Sequence, residues 1–186
     1  MNRLGTICLA AALALGGPAL AASKDEKKQE VRQTAQSTLD RLYKSQPKAK
    51  AAIERSAGYA VFSNFGMKIL VAGGGSGSGV AVNAKSKKET FMKMVEVQAG
   101  LGFGVKKFRL VWVFEKASDL DKFINSGWEL GAQATASAQM SGQGMEAYAG
   151  AMSISPGVWL YQLTDDGLAV ELTAKGTKYY KDSDLN

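Results

Sequence analysis

The chain has 186 residues, 46% of them hydrophobic and 22% charged, with a formal net charge of +6, a composition typical of a globular domain rather than a disordered chain. It has no histidine and one cysteine, Cys8, so Ser-His-Asp and Cys-His catalysis, histidine-ligated haem and imidazole metal sites are excluded. The excess of basic residues weakly favours anionic partners.

Residues 1–21 have the pattern of a secretory signal peptide. Asn2 and Arg3 form a short basic start, residues 4–15 are an apolar run, and residues 19–21 match an A-x-A cleavage signal. The run is shorter than the roughly 20 residues that a membrane span needs. We therefore expect an exported protein, periplasmic or secreted, that starts at residue 22 and has a net charge of 22 − 17 = +5 after Arg3 is removed.

Cys8 does not fit a lipoprotein signal. It precedes most of the apolar run, and Ile7 stands where a small residue normally precedes a lipidated cysteine. Lipid attachment is therefore disfavoured. Removal of the signal peptide leaves an exported chain without cysteine, so its stability must come from a packed core rather than from disulfides.

Residues 22–57 are predicted to be helical. Val31, Ala35, Leu39 and Leu42 recur at helical spacing within a charged segment over residues 23–45. A second, short helix is predicted to begin at Pro47 and to end before Gly58. The chain therefore begins with a helical hairpin.

After Gly58 the hydrophobic period changes from 3.6 to 2, which predicts β-strands for most of residues 58–186. One helix near residues 118–126 interrupts them, with Ser118 as its predicted N-cap. Asp165-Asp166-Gly167 contains an Asp-Gly pair typical of a hairpin turn. The predicted strands cover residues 59–62, 67–72, 90–98, 106–115, 128–140, 158–163 and 168–172.

Short strands joined by turns favour antiparallel pairing, because parallel neighbours need crossover connections of a dozen or more residues. The expected fold class is α+β, with a strongly curved or barrel-like antiparallel sheet and the N-terminal helices packed against it. Residues 22–186 are expected to form a single domain. Trp112, Trp128 and Trp159 lie at apolar strand positions and are expected in the core.

The stretch GGGSGSGVAV, residues 73–82, has the glycine spacing of a nucleotide loop but not its chemistry. A P-loop needs Lys and then Ser or Thr after its second glycine, whereas Val80 and Ala81 follow here, and no dinucleotide register fits. Glycine at every second position predicts a strand face without side chains, which lets the sheet coil or a helix dock, or forms a shallow ligand groove. The groove candidates are Gly73, Gly75, Gly77, Gly79, Gly100, Gly102 and Gly104.

Four segments in this order resemble the SYLF lipid-binding domain family, in a bacterial, exported form. They are GYAVFSNFGMKILVAGGGSGSGVAV, GLGFGVKKFRLVWVFE, KFINSGWELG and GVWLYQLTDDGLAVELTAKGTKYYKD. The resemblance extends from about residue 49 to residue 186. It implies a non-enzymatic domain, because eukaryotic relatives bind phosphoinositide-containing membranes, and some associate with actin and its regulators. In a bacterial envelope, acidic phospholipids are the expected targets.

Basic residues are the candidate lipid contacts. Lysines in a turn between two strands, at the start of the strand over 106–115 and on the first helix would each contribute about 1 kcal/mol near an acidic membrane. Solvated lysines that bind nothing are the alternative. The candidates are Lys27, Lys28, Arg32, Lys85, Lys87, Lys88, Lys106 and Lys107.

The sequence favours a binding protein over an enzyme. No spacing of acids or serines recommends a catalytic site, and we expect no catalytic residues, no metal, no cofactor and no nucleic-acid partner. The leading expectation is binding of anionic phospholipid or of a membrane surface in the cell envelope. Two alternatives remain open: a soluble carrier that encloses an acyl chain, and a module that binds another envelope protein or itself.

Overall fold

The computed structural model describes residues 23–69, 72–99, 104–130, 146–164, 167–168 and 176–186, with side chains placed for 23–63, 74–97, 107–127, 147–164 and 176–186. The helices in these ranges are α1 (Lys24–Ser45), α2 (Pro47–Arg55), α3 (Ala117–Asn125) and a 3₁₀ helix, Glu146–Tyr148. The strands are β1 (Gly58–Ile69), β2 (Ala72–Asn83), β3 (Glu89–Ala99), β4 (Gly104–Phe114), β5 (Trp128–Leu130), β6 (Met152–Ser155), β7 (Val158–Thr164), β8 (Gly167–Leu168) and β9 (Thr177–Lys181).

Helix α1 begins where its sequence provides a complete cap. The Ser23 hydroxyl accepts a hydrogen bond from the Glu26 amide at 3.2 Å, and the Glu26 carboxylate accepts one from the Ser23 amide at 2.6 Å. This capping box satisfies two amides that have no partner within the helix. The backbone hydrogen bond from Ser23 is the main reason that the pKa of Glu26 is lowered.

The strands form one antiparallel sheet in the order β5-β9-β3-β2-β1-β4-β7-β6, with β8 paired to β7. Strand β1 lies at its centre and pairs with β2 from Gly58 to Ile69 and with β4 from Gly58 to Lys68. The sheet is strongly curved. Because neighbouring residues on a strand point to opposite faces, the sheet has an inner face that contains Phe62 and an outer face that contains Val61.

The inner face carries an aromatic core beneath α3. Phe123 of α3 lies 5.4 Å from Trp112, 5.0 Å from Phe114 and 5.3 Å from Tyr179, measured between ring centroids. Leu120 of α3 is also fully buried in this cluster. The apolar stripe of a nine-residue helix therefore closes the inner face.

Helices α1 and α2 pack on the outer face. Leu39 and Leu42 of α1 and Ile53 of α2 are buried in one cluster with Val61 and Val111 of the central strands. Full burial of a leucine side chain stabilises a fold by about 1.5–3 kcal/mol. The central rows of the sheet are thus covered on both faces.

Glycines of β2 make room for the inner core. Gly79 pairs with Phe62 of β1, and a Cβ added at Gly79 would collide with the Phe62 ring and with the carbonyl oxygen of Val61. At Gly77 an added Cβ would meet the Met94 side chain and a carbonyl oxygen of β1. At these two positions, the space left by the missing glycine side chains is occupied by core side chains of the neighbouring strands.

The expected α+β class with a strongly curved antiparallel sheet and N-terminal helices is confirmed. Trp112 and Trp159 are buried as expected. Two details were wrong: residues 58–69 form one strand rather than separate short runs, and α3 begins at Ala117 after Lys116, so Ser118 is not its N-cap. Strands β6 and β9 were not predicted. The Trp128 side chain and the predicted strand and turn at 131–140, 165–166 and 169–172 lie outside the described residues.

Replacing Gly79 with alanine should destabilise the protein by about 1–3 kcal/mol, because the new methyl group overpacks the core beside Phe62. Gly74→Ala is the matched control, since the nearest atom to its Cβ would be the Glu96 carbonyl oxygen at 3.4 Å. We expect that change to be neutral or stabilising by roughly 0.5 kcal/mol. Chemical denaturation of both variants measures the difference, and equal stabilities would contradict the assigned faces of β2.

Alkaline pH should unfold the protein through its buried tyrosines. Burial raises the pKa of Tyr43, Tyr148 and Tyr161 to about 12, whereas an unfolded tyrosine titrates near pH 10. A raised folded pKa gives stability that is complete below about pH 10 and is lost as the pH rises towards about 12. Between pH 10 and about 12, the phenolate absorbance of the folded protein should be lower than that of the denatured chain. Full tyrosine ionisation near pH 10, in a protein that keeps its native circular dichroism, would contradict the burial of these tyrosines.

Candidate functional site

Helix α1 crosses the outer face from β3 to β7. In its first half, Arg32 forms an ion pair of 2.8 Å with Glu89, which is the first residue of β3. Near its end, Arg41 donates a hydrogen bond of 2.8 Å to the Thr164 carbonyl, at the last residue of β7. Two depressions border α1, and Leu185 lines both of them.

The first depression is basic and has a volume of about 590 Å³. At its centre is the Phe91 ring, with the Lys28 ammonium 5.5 Å and the Arg32 guanidinium 5.2 Å from the ring centroid. Glu89, the ion-pair partner of Arg32, also lines it. We call the cations that line this depression the basic surface: Lys28, Arg32, Lys87, Lys88 and Lys181.

The β2–β3 turn holds three exposed lysines in a fixed geometry. The Asn83 side-chain oxygen accepts hydrogen bonds from the amides of Lys85 at 3.0 Å and Ser86 at 2.9 Å. Lys87 adopts a left-handed conformation with φ of 58°. The turn therefore directs Lys87 and Lys88 into the same depression as the α1 cations.

Lys181 lies at the edge of the basic surface, with its ammonium directed to α3, and was missed by sequence reasoning. Strand β9 pairs with β3 and places Lys181 opposite Met92, and its ammonium donates a hydrogen bond of 2.8 Å to Asn125 of α3. Alternation around Tyr179 was the available signal for this strand. The pairing with β3, more than 80 residues away in the chain, was not visible in the sequence.

The second depression, which we call the sheet groove, lies between α1 and the outer face and has a volume of about 610 Å³. Its floor follows the pairing register, in which Arg109 faces Ser63, Ser63 faces Ser78, and Ser78 faces Lys93. Each step across an antiparallel pair is about 4.5–5.5 Å between Cα atoms. Val31 and Ala35 of α1, Val61 and Leu163 supply the apolar wall.

The β3 end of the sheet groove is electrically compensated. The Lys93 ammonium lies 3.0 Å from an Asp182 oxygen and 3.1 Å from an Asp184 oxygen. Hydrogen bonds to Asp182 and Asp184 raise the pKa of Lys93, and Lys93 in turn lowers the pKa of Asp184. Glu30 also lines the groove.

The β4–β7 end of the sheet groove is cationic. Arg109 pairs with Leu163 in the register, next to the Thr164 carbonyl that Arg41 contacts. Lys107 lies two residues from Arg109 on the same face of β4 and is exposed. Among the described residues, neither Lys107 nor Arg109 forms an ion pair.

The structure divides the predicted lipid contacts between the two depressions. Lys28, Arg32, Lys87 and Lys88 come together in the basic surface, with Lys85 on the same turn. Lys27 and Lys107 line the sheet groove instead, and the Lys106 side chain lies outside the described ones.

Five of the seven predicted groove glycines are among the described residues, and all five lie in strands. Gly73, Gly75, Gly77 and Gly79 are in β2, and Gly104 begins β4. At Gly77 and Gly79 the vacant face is filled by Met94 and Phe62. Gly100 and Gly102 lie outside the described residues.

Neither a metal-ligand cluster nor a membrane-crossing helix is found in the described ranges. No group of three or more Asp, Glu, His or Cys side chains there is arranged to hold a metal ion. None of the helices in those ranges is both long and apolar enough to cross a membrane.

Two comparisons identify relatives. A family model, Ysc84, described as "Las17-binding protein actin regulator", matches residues 95–186, from within β3 to Asn186. A curated protein, Beta cell expansion factor A from Aeromonas veronii, is 33% identical over 155 residues, which cover 81% of this chain and 56% of that protein. The chain thus spans about half the length of the curated relative it matches. Residues 95–186 therefore match the Ysc84 (SYLF) family, which the relative from Aeromonas veronii shares.

Proposed function

We propose that the protein is a non-enzymatic module that binds anionic phospholipid surfaces of the bacterial envelope, peripherally, through the basic surface. The observation that carries this proposal is the convergence of four cations from α1 and the β2–β3 turn on one depression, with Lys181 of β9 at its edge. The family match supports a lipid- or actin-related binding role. The signal-peptide pattern of residues 1–21 supports export to the periplasm or beyond.

The charge balance sets the expected strength of binding. Glu89 compensates Arg32 and Lys181 is bonded to Asn125 of α3, so Lys28, Lys87 and Lys88 remain to face an acidic membrane. At about 1 kcal/mol for each cation, they supply about 3 kcal/mol, which corresponds to a dissociation constant of several millimolar. Attachment should therefore be reversible and sensitive to salt.

Exposed apolar side chains on the outer face provide a further contact. Val97 is 70% exposed and Val95 37% exposed on β3, and Tyr180 is 36% exposed on β9. Apolar side chains of this kind can enter the interfacial layer of a membrane once cations have drawn the protein to it. Electrostatic attraction and shallow insertion would then act together.

Vesicle co-sedimentation tests the proposal. Pelleting should rise with the fraction of phosphatidylglycerol and fall between 0.1 M and 0.5 M salt, because screening shortens the range of the attraction. Equal and negligible pelleting with neutral and acidic vesicles would overturn it. Cross-linking in cells would then decide whether the partner is a protein instead.

The double variant Lys87→Glu/Lys88→Glu should lower the apparent affinity for acidic vesicles at least tenfold, because it reverses two charges of the basic surface. Lys116→Glu/Lys122→Glu is the matched control, with the same change in net charge at two exposed positions at α3. The control should bind nearly as well as the parent protein. If both variants lose affinity equally, net charge rather than the basic surface is responsible.

A further inference from the structure

We infer that the sheet groove is a binding site for a single phosphate-bearing amphiphile, with the phosphate at the β4–β7 end and the apolar part beneath α1. This inference rests on the proposed function, since a protein at a lipid surface meets such molecules. It names a site separate from the basic surface, on the other side of α1.

Size and lining indicate a ligand site rather than a surface irregularity. A volume of about 610 Å³ lies within the range of roughly 300–1,000 Å³ in which proteins hold small ligands. The lining combines an apolar wall, from Val31, Ala35 and Leu163, with hydroxyl and cationic side chains. An apolar body with a few placed polar groups is the usual composition of such sites.

The charges of the sheet groove determine where an anion would lie. At the β3 end, Asp182 and Asp184 already satisfy Lys93, so a phosphate there would meet two carboxylates. At the opposite end, Arg109 and Lys107 form no ion pair among the described residues, and Arg41 is held nearby by the Thr164 carbonyl. An anion is therefore attracted to Arg109.

Arginine and the serine hydroxyls supply the chemistry that recognises phosphate. The guanidinium of Arg109 can donate two parallel hydrogen bonds to phosphate oxygens. Ser63 lies directly opposite Arg109, and Ser78 lies opposite Ser63. A phosphate above Ser63 is thus within reach of the guanidinium on one side and of the Ser78 hydroxyl on the other.

The apolar wall favours a phosphate ester with a chain over free phosphate. In the register, Leu163 lies beside Arg109, and Val61 lies two residues from Ser63 on the same face of β1. Helix α1 contributes Val31 and Ala35 to the same wall. A chain extending from the phosphate would bury apolar surface against these four side chains. Each methylene group of a short chain that leaves water there adds to the affinity of the head group.

Isothermal titration of the full protein with monomeric dihexanoyl phosphatidic acid, kept below its micelle concentration, tests the inference. We expect saturable binding of one molecule per chain. Arg109→Gln should weaken it at least tenfold, and Ser63→Ala/Ser78→Ala about threefold. The control Arg55→Gln, at an exposed position of α2 outside the sheet groove, should bind like the parent.

Three outcomes would overturn the inference. Glycerol 3-phosphate or inorganic phosphate binding as tightly as the dihexanoyl ligand would assign the site to free phosphates. Binding unaffected by Arg109→Gln in a protein that melts like the parent would place the ligand elsewhere. No monomer binding, with acidic vesicles still pelleting the protein, would reject the groove site and leave the proposed function standing.

The two sites can be separated by one cross-check. Lys87→Glu/Lys88→Glu should lose vesicle binding and keep the monomer affinity, whereas Arg109→Gln should do the reverse. Coupled losses in both variants would contradict two independent sites.

Discussion

Phe62 can occupy the centre of the inner core only because Gly79, its partner in β2, carries no side chain. Its ring lies 5.0 Å from Tyr179 of β9 and 6.1 Å from Phe123 of α3. One absent Cβ therefore lets a central strand, a distant strand and a helix share a single cluster. The packing of the inner face depends on this contact.

The same stretch of β2 also shapes the outer face. Its glycines alternate with Gly74, Ser76, Ser78 and Val80, which point the other way. Val80 lies under α1 in the outer core, and the two serines lie in the sheet groove. The change from serine to valine marks the row at which the helix begins to cover the sheet. A single alternating sequence thus supplies space for the inner core and a polar floor for the outer groove.

The sequence predicted the features of the fold that depend on neighbouring residues in the chain. The helical spacing of the apolar residues in α1, the period of two in β3 and β4, and the glycine alternation of β2 each depend on residues close together in the chain. The class of fold followed from them. The length of β1 did not, because Ser63 is a polar residue at the open groove and interrupts the apolar pattern without ending the strand.

The candidate sites were less predictable, because they depend on register and on the path of α1. Lys28 and Lys88 were both candidates, but their meeting requires the helix to cross beside the start of β3. Lys107 was grouped with them and lies instead in the sheet groove, which α1 separates from the basic surface. Arg109 was not a candidate at all: it appeared as one polar residue of an amphipathic strand, and only the pairing with Ser63 gave it a role.

The energies of the contacts that hold α1 explain how it could meet a membrane without unfolding. The pair between Arg32 and Glu89 is 42% and 33% exposed, and such pairs contribute about 0–1 kcal/mol. An acidic surface, at about 1 kcal/mol for each cation, can compete with it for Arg32. Leu39 and Leu42, by contrast, are buried in the outer core, where each contributes about 1.5–3 kcal/mol. The first turns of α1 can therefore exchange partners at a lipid surface while its second half keeps the sheet covered.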